Sequence, residues 1–113
     1  AQLAAMQHIN QAIHRMYESR GMDYALGLKL LPLLQMRGLC DLSMENDAPV
    51  SAGGSGLAAI MAMSAEQLRE KYLATGVVSE ADLQGYRQMA EDSQSRAVYY
   101  ATVAVTGRRR SSE

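Results

Sequence analysis

The sequence has little of what rigid or cross-linked proteins use: no Trp, no Phe, two Pro and one Cys in 113 residues. Cys40 has no second cysteine to pair with, which fits a reducing compartment. The longest apolar stretches, such as residues 57–63, fall far short of the ~18 residues that a membrane span needs. No signal-peptide pattern opens the chain. We therefore expect a cytoplasmic protein that does not associate with membranes.

The chain also lacks a charge excess, since its net charge is −1 and its pI is near 6.1. It has no long-range positive field to recruit nucleic acid, and three arginines at 108–110 without interleaved aromatic residues favour a solvated tail. What is present is an ordinary globular composition, 48% hydrophobic, in which eight Met fill space that rings usually fill. We expect no nucleic-acid partner.

Apolar residues recur at steps of three and four over much of the chain, which predicts helices. On the first helix, 2–18, the apolar face carries Leu3, Met6, Asn10, Ile13 and Tyr17. Further helices are predicted at 23–37, 57–63, 65–75 and 79–92.

Pro32 either kinks the second helix or delays its regular start. Ser64 and Gln67 resemble a capping box for the fourth helix. The fifth helix would bury Leu83, Tyr86 and Ala90.

Two segments have the pattern of strands. Residues 39–47 alternate apolar and polar side chains, as a half-buried strand does. Residues 97–107 are β-branched and aromatic with apolar residues on both faces, which predicts a strand covered on both sides of a sheet. A lone two-stranded ribbon is marginal in water. Another edge must therefore come from a longer parent protein or from a second copy of the chain.

The predicted fold is a mostly helical α/β fragment with two antiparallel strands, about 39–47 and 97–107, and a helical insertion between them. The length suits one small domain, 1–113. Its expected parts are an N-terminal helix at 1–22, a helix and strand at 23–50, the insertion at 51–96, the last strand at 97–108 and a tail at 109–113.

Three segments in this order, LPLLQMRGLCDLSMEN, LREKYLATGVVSEADLQGYRQM and AVYYATVAVTGRRR, carry a family resemblance. Over residues 23–110 the chain resembles the C-terminal portion of Rossmann-like S-adenosylmethionine-dependent methyltransferases. That family has a helix of the form L-x-x-LL-x-x-x-GL, then a strand, and finally an antiparallel strand ending in G-R-[RK]. The matching segments here are 30–39, 40–47 and 98–109.

The resemblance implies that S-adenosylmethionine is the cofactor of the parent protein. The family's Gly-rich cofactor turn and acidic residue have no counterpart in this sequence, so no cofactor-binding residue is assigned. We expect the C-terminal part of a methyltransferase acting on a small molecule, inactive as this chain alone and partnered by the missing N-terminal half. The alternative is a stand-alone, non-catalytic α+β domain that dimerises by strand pairing.

The first helix corresponds to a segment that borders the substrate pocket in many members of the family. Asn10, His14 and Tyr17 mark the side of this helix that would meet a ligand, with His14 as a possible base. The alternative is that Asn10 and Tyr17 flank a core stripe while His14 pairs with Glu18. No residue stands out as catalytic.

Other motifs are better explained by structure than by chemistry. His8 and His14 are six residues apart, so they do not share a helix face and no metal site is expected. Gly54-Ser55-Gly56 fits the dinucleotide fingerprint, but no buried strand precedes it, which favours a loop capped by Ser55. Cys40 has no neighbouring base and is expected to be a buried structural thiol.

Overall fold

The computed structural model describes residues 2–110. The helices are α1 (Gln2–Ser19), α2 (Leu30–Met36, preceded by a 3₁₀ turn at Leu26–Lys29), α3 (Gly56–Gln67), α4 (Arg69–Ala74) and α5 (Glu80–Glu91). The strands are β1 (Leu39–Asp47), β2 (Ser51–Ala52), β3 (Arg96–Ala97) and β4 (Thr102–Arg109), and both β1–β4 and β2–β3 pair antiparallel. A mostly helical α/β chain with antiparallel strands is thus confirmed at this level.

The described chain forms two compact units. Residues 2–24 and 50–99 make up what we call the helical unit, and residues 25–49 and 100–110 make up the ribbon unit. That the whole chain is a single domain stays a prediction. No helix within residues 2–110 combines the length and the apolar character needed to cross a bilayer.

The core of the helical unit forms where α1 packs on α5. The buried residues of α1 are Ala5, Met6, Ile9, Ala12 and Ile13. The predicted stripe was therefore partly wrong, because Leu3 is 70% exposed. Alanines let helices approach closely, and a Cβ added to Gly85 of α5 would lie 3.3 Å from the Ala5 side chain. The contact face therefore combines small side chains, Ala5 and Ala12, with longer apolar ones.

The predicted start and buried face of α5 are confirmed. Ser79 and Asp82 cap the helix reciprocally, each side chain accepting from the other's backbone amide. Leu83, Tyr86 and Ala90 are buried as expected. Gly76 has a φ of +80° just after α4, a conformation that suits a glycine after a helix end.

The predicted capping box at Ser64 is wrong. Ser64 lies inside α3, and its carbonyl accepts the Leu68 amide across an unbroken turn. The break between α3 and α4 falls at Leu68 instead. Ala65 is buried and continues the apolar face of α3. Its burial keeps the chain helical past Ser64, although Ser64 and Gln67 have side chains that could form a cap.

Pro32 delays the second helix rather than kinking it. A 3₁₀ turn occupies Leu26–Lys29, and α2 begins at Leu30. Pro32 therefore sits in the first turn of α2, where its missing amide hydrogen costs no intrahelical bond. Gly38 follows the helix with a φ of +85°.

The ribbon unit is built on β1 and β4. Met44 pairs with Val105 and Ser43 with Thr106, whose hydroxyls are hydrogen-bonded at 2.6 Å. Val103 and Val105 are half-buried, and a Cβ on Gly27 would lie 3.2 Å from the Val103 Cβ, so the 3₁₀ turn covers this face. The opposite face is exposed and carries small and polar residues: Ser43, Glu45, Asp47, Thr102, Ala104 and Thr106.

The prediction of one long strand at 97–107, covered on both faces, is wrong. β4 begins at Thr102, whereas Ala97 pairs with Ser51 in β3–β2. Tyr99 is 4% exposed and packs edge-on against Tyr86 in the core of the helical unit. The apolar run in the sequence therefore combines side chains that serve two different units.

Candidate functional site

Two of the three predicted ligand-facing residues meet at one aromatic ring. Gly21, with a φ of +71°, turns the chain after α1, and the Met22 amide donates to the Tyr17 carbonyl at 2.8 Å. The Tyr24 ring then lies 4.9 Å from the His14 ring and 4.9 Å from the Tyr17 ring, measured between centroids. These three residues form what we call the aromatic cluster.

Asn10 is not part of the aromatic cluster. It is half-buried and lies one helical turn before His14. His14 itself is exposed and has the Tyr24 ring beside it, edge-on at 78°. The alternative pairing of His14 with Glu18 is absent from the ion pairs within residues 2–110. The roles of Asn10, His14 and Tyr17 as pocket residues stay predictions.

The phenols of Tyr24 and Tyr72 stay protonated at neutral pH. Burial, and secondarily the Tyr17 phenol, raises the pKa of Tyr24. Burial, and secondarily the phenols of Tyr24 and Tyr17, raises the pKa of Tyr72 on α4. A protonated phenol donates a hydrogen bond, so Tyr24 is suited to holding a ligand oxygen rather than to removing a proton, whereas Tyr72 is only 3% exposed and belongs to the core.

Two adjoining cavities lie between the end of α1 and α4. The larger measures about 410 Å³ and is lined by Arg15, Met16, Ser19, Arg20, Lys71, Ala74 and Thr75. The smaller measures about 230 Å³ and is lined by Met16, Tyr17, Arg20, Met22, Leu68 and Lys71. They share Met16, Arg20 and Lys71, so we treat them as one feature, the α1/α4 groove.

The α1/α4 groove has two cations, Arg20 and Lys71, in both cavities, a third cation, Arg15, in the larger one, and further apolar and aromatic side chains in the smaller one. Arg15 donates to the Thr75 carbonyl at 3.1 Å, which satisfies a carbonyl at the end of α4. Arg20 and Lys71 are exposed and have no ion-pair partner within residues 2–110. Of the residues that the structure describes, no acidic one lines the groove.

The two histidines serve different contacts. His8 Nδ1 is hydrogen-bonded to Asp82 Oδ2 at 3.0 Å, whereas His14 lies against Tyr24. They do not converge on a common point. No group of three His, Cys, Asp or Glu side chains in residues 2–110 is placed to hold a metal ion.

The Gly-rich segment is a structural loop. The amides of Gly53, Gly54 and Ser55 donate to the carbonyls of Ser95, Ala90 and Ala52. They are therefore not available to a phosphate group. Ser55 caps α3 by accepting from the Ala58 amide, as the loop interpretation predicts.

Cys40 has a structural contact in the ribbon unit. Its thiol is half-buried rather than buried, and it lies 3.4 Å from the Arg108 carbonyl. Arg108 belongs to β4 and pairs with Asp41 at 2.5 Å, so it is not part of a free tail. Arg109 also belongs to β4 and pairs with Leu39, so of the three arginines only Arg110 lies beyond the strand, where it is exposed.

Sequence reasoning missed Tyr24, Arg20 and Lys71. Tyr24 reaches α1 only because the chain reverses at Gly21. Arg20 and Lys71 are 51 positions apart in the numbering and meet only because α4 packs beside α1. No local spacing signals such a pair.

Comparison with known proteins found no match to this chain among family models, curated proteins or solved structures.

Proposed function

We propose that this chain is the C-terminal part of an S-adenosylmethionine-dependent methyltransferase that acts on a small molecule. In this account the ribbon unit supplies the last two strands of a larger sheet, and the helical unit helps to wall the substrate pocket. The cofactor would be bound by the N-terminal half of the enzyme, which this chain lacks. The 113 residues alone would transfer no methyl group.

The observation that carries this proposal is that the ribbon unit has no buried residue within 25–49 and 100–110. Its large exposed apolar side chains are Leu26, Leu28, Leu33, Met36, Met44 and Tyr100. A two-stranded ribbon with a short helix cannot stabilise itself without a buried face. It therefore has the character of one edge of a larger structure.

The strand arrangement supports the same proposal. Within the described residues β4 pairs with β1 alone, antiparallel, so its other edge is open to a further strand. The resemblance places such a neighbour in the family's sheet. Because the second face of the ribbon is polar, the open edge and the apolar residues around α2 are the surfaces offered to the missing half.

The encoding gene tests this proposal. We expect the reading frame to continue upstream of the Ala1 codon, with a buried strand followed by G-x-G-x-G, and the intact mass of the purified protein to exceed 12.3 kDa. A frame that begins at a Met codon immediately before Ala1 would refute the proposal.

The open edge of β4 also favours a second candidate, a non-catalytic domain that dimerises by strand pairing. Unpaired edges accept strands from other chains. Sedimentation equilibrium of the 113-residue chain would then give a mass that rises from monomer to dimer with concentration. A monomer at all concentrations would exclude this candidate.

A further inference from the structure

We propose that the α1/α4 groove binds a small molecule with an apolar body and one anionic group, such as an aromatic carboxylate. As a statement about binding this inference stands by itself. As a statement about the methyl acceptor it rests on the proposed function.

The positively charged side chains of the groove indicate that its ligand has an anionic group. Arg20 and Lys71 line both cavities, and neither has an ion-pair partner within residues 2–110. Arg15 donates to the Thr75 carbonyl, and its guanidinium adds a third positive charge to the larger cavity. Its remaining N–H groups can donate to a ligand. Three cations and, among residues 2–110, no acid line the larger cavity, which creates a local potential that favours an anion although the whole chain is slightly negative.

The hydroxyl groups of Ser19 and Thr75, which line the groove, are not free to bind the anion. Ser19 donates to the Met16 carbonyl at 2.7 Å, and Thr75 donates to the Tyr72 carbonyl at 2.6 Å. Each hydroxyl proton is used within its own helix region. An anion in the groove would therefore be held by the guanidinium and ammonium groups.

The apolar part follows from the smaller cavity. Tyr17 and Leu68 are half-buried, and Met22, which lines the same cavity, is 50% exposed. Thioethers adapt to ligands of different shape and make favourable contacts with aromatic rings. The volumes of the two cavities, about 410 and 230 Å³, suit a molecule of one or two rings.

The test compares 2-naphthoate with its uncharged analogue 2-naphthamide, titrated into the full 113-residue chain and followed by amide NMR shifts. A ligand of this size is expected to bind with a dissociation constant of about 1 mM. We expect naphthoate to shift amides in 15–22 and 68–75, and naphthamide to bind roughly tenfold more weakly. Added salt should weaken naphthoate binding and leave naphthamide binding unchanged.

Matched variants locate the site. Arg20→Gln and Lys71→Gln should each weaken naphthoate binding roughly two- to fivefold, because each removes one exposed charge contact. Arg87→Gln removes the same charge from a separate cavity beside α5 and should have no effect. Dispersed amide spectra of each variant establish that it is folded.

Equal binding of both probes, shifts outside these two segments, or a loss of binding in Arg87→Gln rather than in Lys71→Gln would overturn the inference. None of these results bears on the reading frame upstream of Ala1. Failure of this inference is thus distinguishable from failure of the methyltransferase proposal.

Discussion

His8 on α1 and Asp82 on α5 are joined by a hydrogen bond of 3.0 Å between Nδ1 and Oδ2. The same Asp82 oxygen accepts the Ser79 amide at 2.9 Å, so one carboxylate caps α5 and ties it to α1. Desolvation acts to raise the Asp82 pKa, but the hydrogen bonds from Ser79 and His8 outweigh it, and the pKa is lowered. The Asp82 carboxylate thus binds both the neighbouring Ser79 and the distant His8.

Replacing this acid tests its role. Asp82→Asn should lower the free energy of unfolding by about 1 kcal/mol at pH 7, because the amide that replaces the carboxylate has one uncharged acceptor oxygen for the bonds to Ser79 and His8. Since the folded pKa lies below the ordinary value of 3.8, the stabilisation is present above that value and is lost as the pH falls through the folded pKa. Urea unfolding between pH 2 and 7 should give a steeper acid limb for the wild type than for the variant.

Glu91→Gln is the control for this prediction. Glu91 pairs with Arg87 on the exposed side of α5, and such pairs contribute little. If the free energy of unfolding depends as weakly on acid pH in Glu91→Gln as in Asp82→Asn, Asp82 is not the source of the acid-dependent stability.

In the loop before α3, Gly53 has no room for a larger residue. A Cβ there would lie 2.0 Å from the Asp92 carbonyl oxygen, and a backbone atom cannot move aside as a side-chain tip does. Gly53→Ala should therefore lower the free energy of unfolding by about 2–4 kcal/mol. A Cβ added at Gly56, the first residue of α3, would have no non-neighbouring atom of residues 2–110 within 4 Å, so Gly56→Ala should be neutral or stabilise by up to about 1 kcal/mol. Equal losses in the two variants would show that the loop is not packed as described.

Tyr86 should limit stability at high pH. Burial raises its pKa, with smaller contributions from the phenols of Tyr99, Tyr72 and Tyr24. A raised folded pKa means that the stabilisation is complete below the ordinary value of 10.0 and is lost as the pH rises above it. Tyr86→Phe should be nearly neutral at pH 7 and should unfold at a higher pH than the wild type, measured by circular dichroism. Tyr100→Phe, at a ring that is 42% exposed, should not extend the alkaline limit.

The exposed apolar side chains of the ribbon unit should show their role only in a longer protein. Leu28 is 77% exposed and Met36 is 81% exposed, so Leu28→Ser and Met36→Ser should change the stability of this chain by less than about 0.5 kcal/mol. In the longer polypeptide the same substitutions should lower the melting temperature by several degrees, because the side chains are then buried. Equal melting temperatures of variant and wild-type longer polypeptides would mean that nothing covers this surface.

Local signals in the sequence predicted much of the secondary structure. The bounds of β1, the Ser79 start of α5 and the glycine at the end of α4 follow from short-range rules, and the structure agrees with them. The errors arose where tertiary packing decides. The buried face of α1 depends on Ala5 meeting Gly85, and the run at 97–107 divides because Tyr99 belongs to the core of the helical unit.

The candidate site was predictable only in part. His14 and Tyr17 lie one turn apart on a helix, and that relationship is visible in the sequence. Tyr24 contacts both of them because the chain reverses, and Arg20 and Lys71 share a cavity with Tyr17 because α4 packs beside α1. Long-range contacts of this kind leave no periodic trace in a single sequence.

Isothermal titration with S-adenosylmethionine tests the central claim most directly. The account predicts that the longer polypeptide encoded by the continuing frame binds the cofactor and that the 113-residue chain alone does not. Tight binding by the 113-residue chain, or a longer polypeptide that does not bind, would contradict the account.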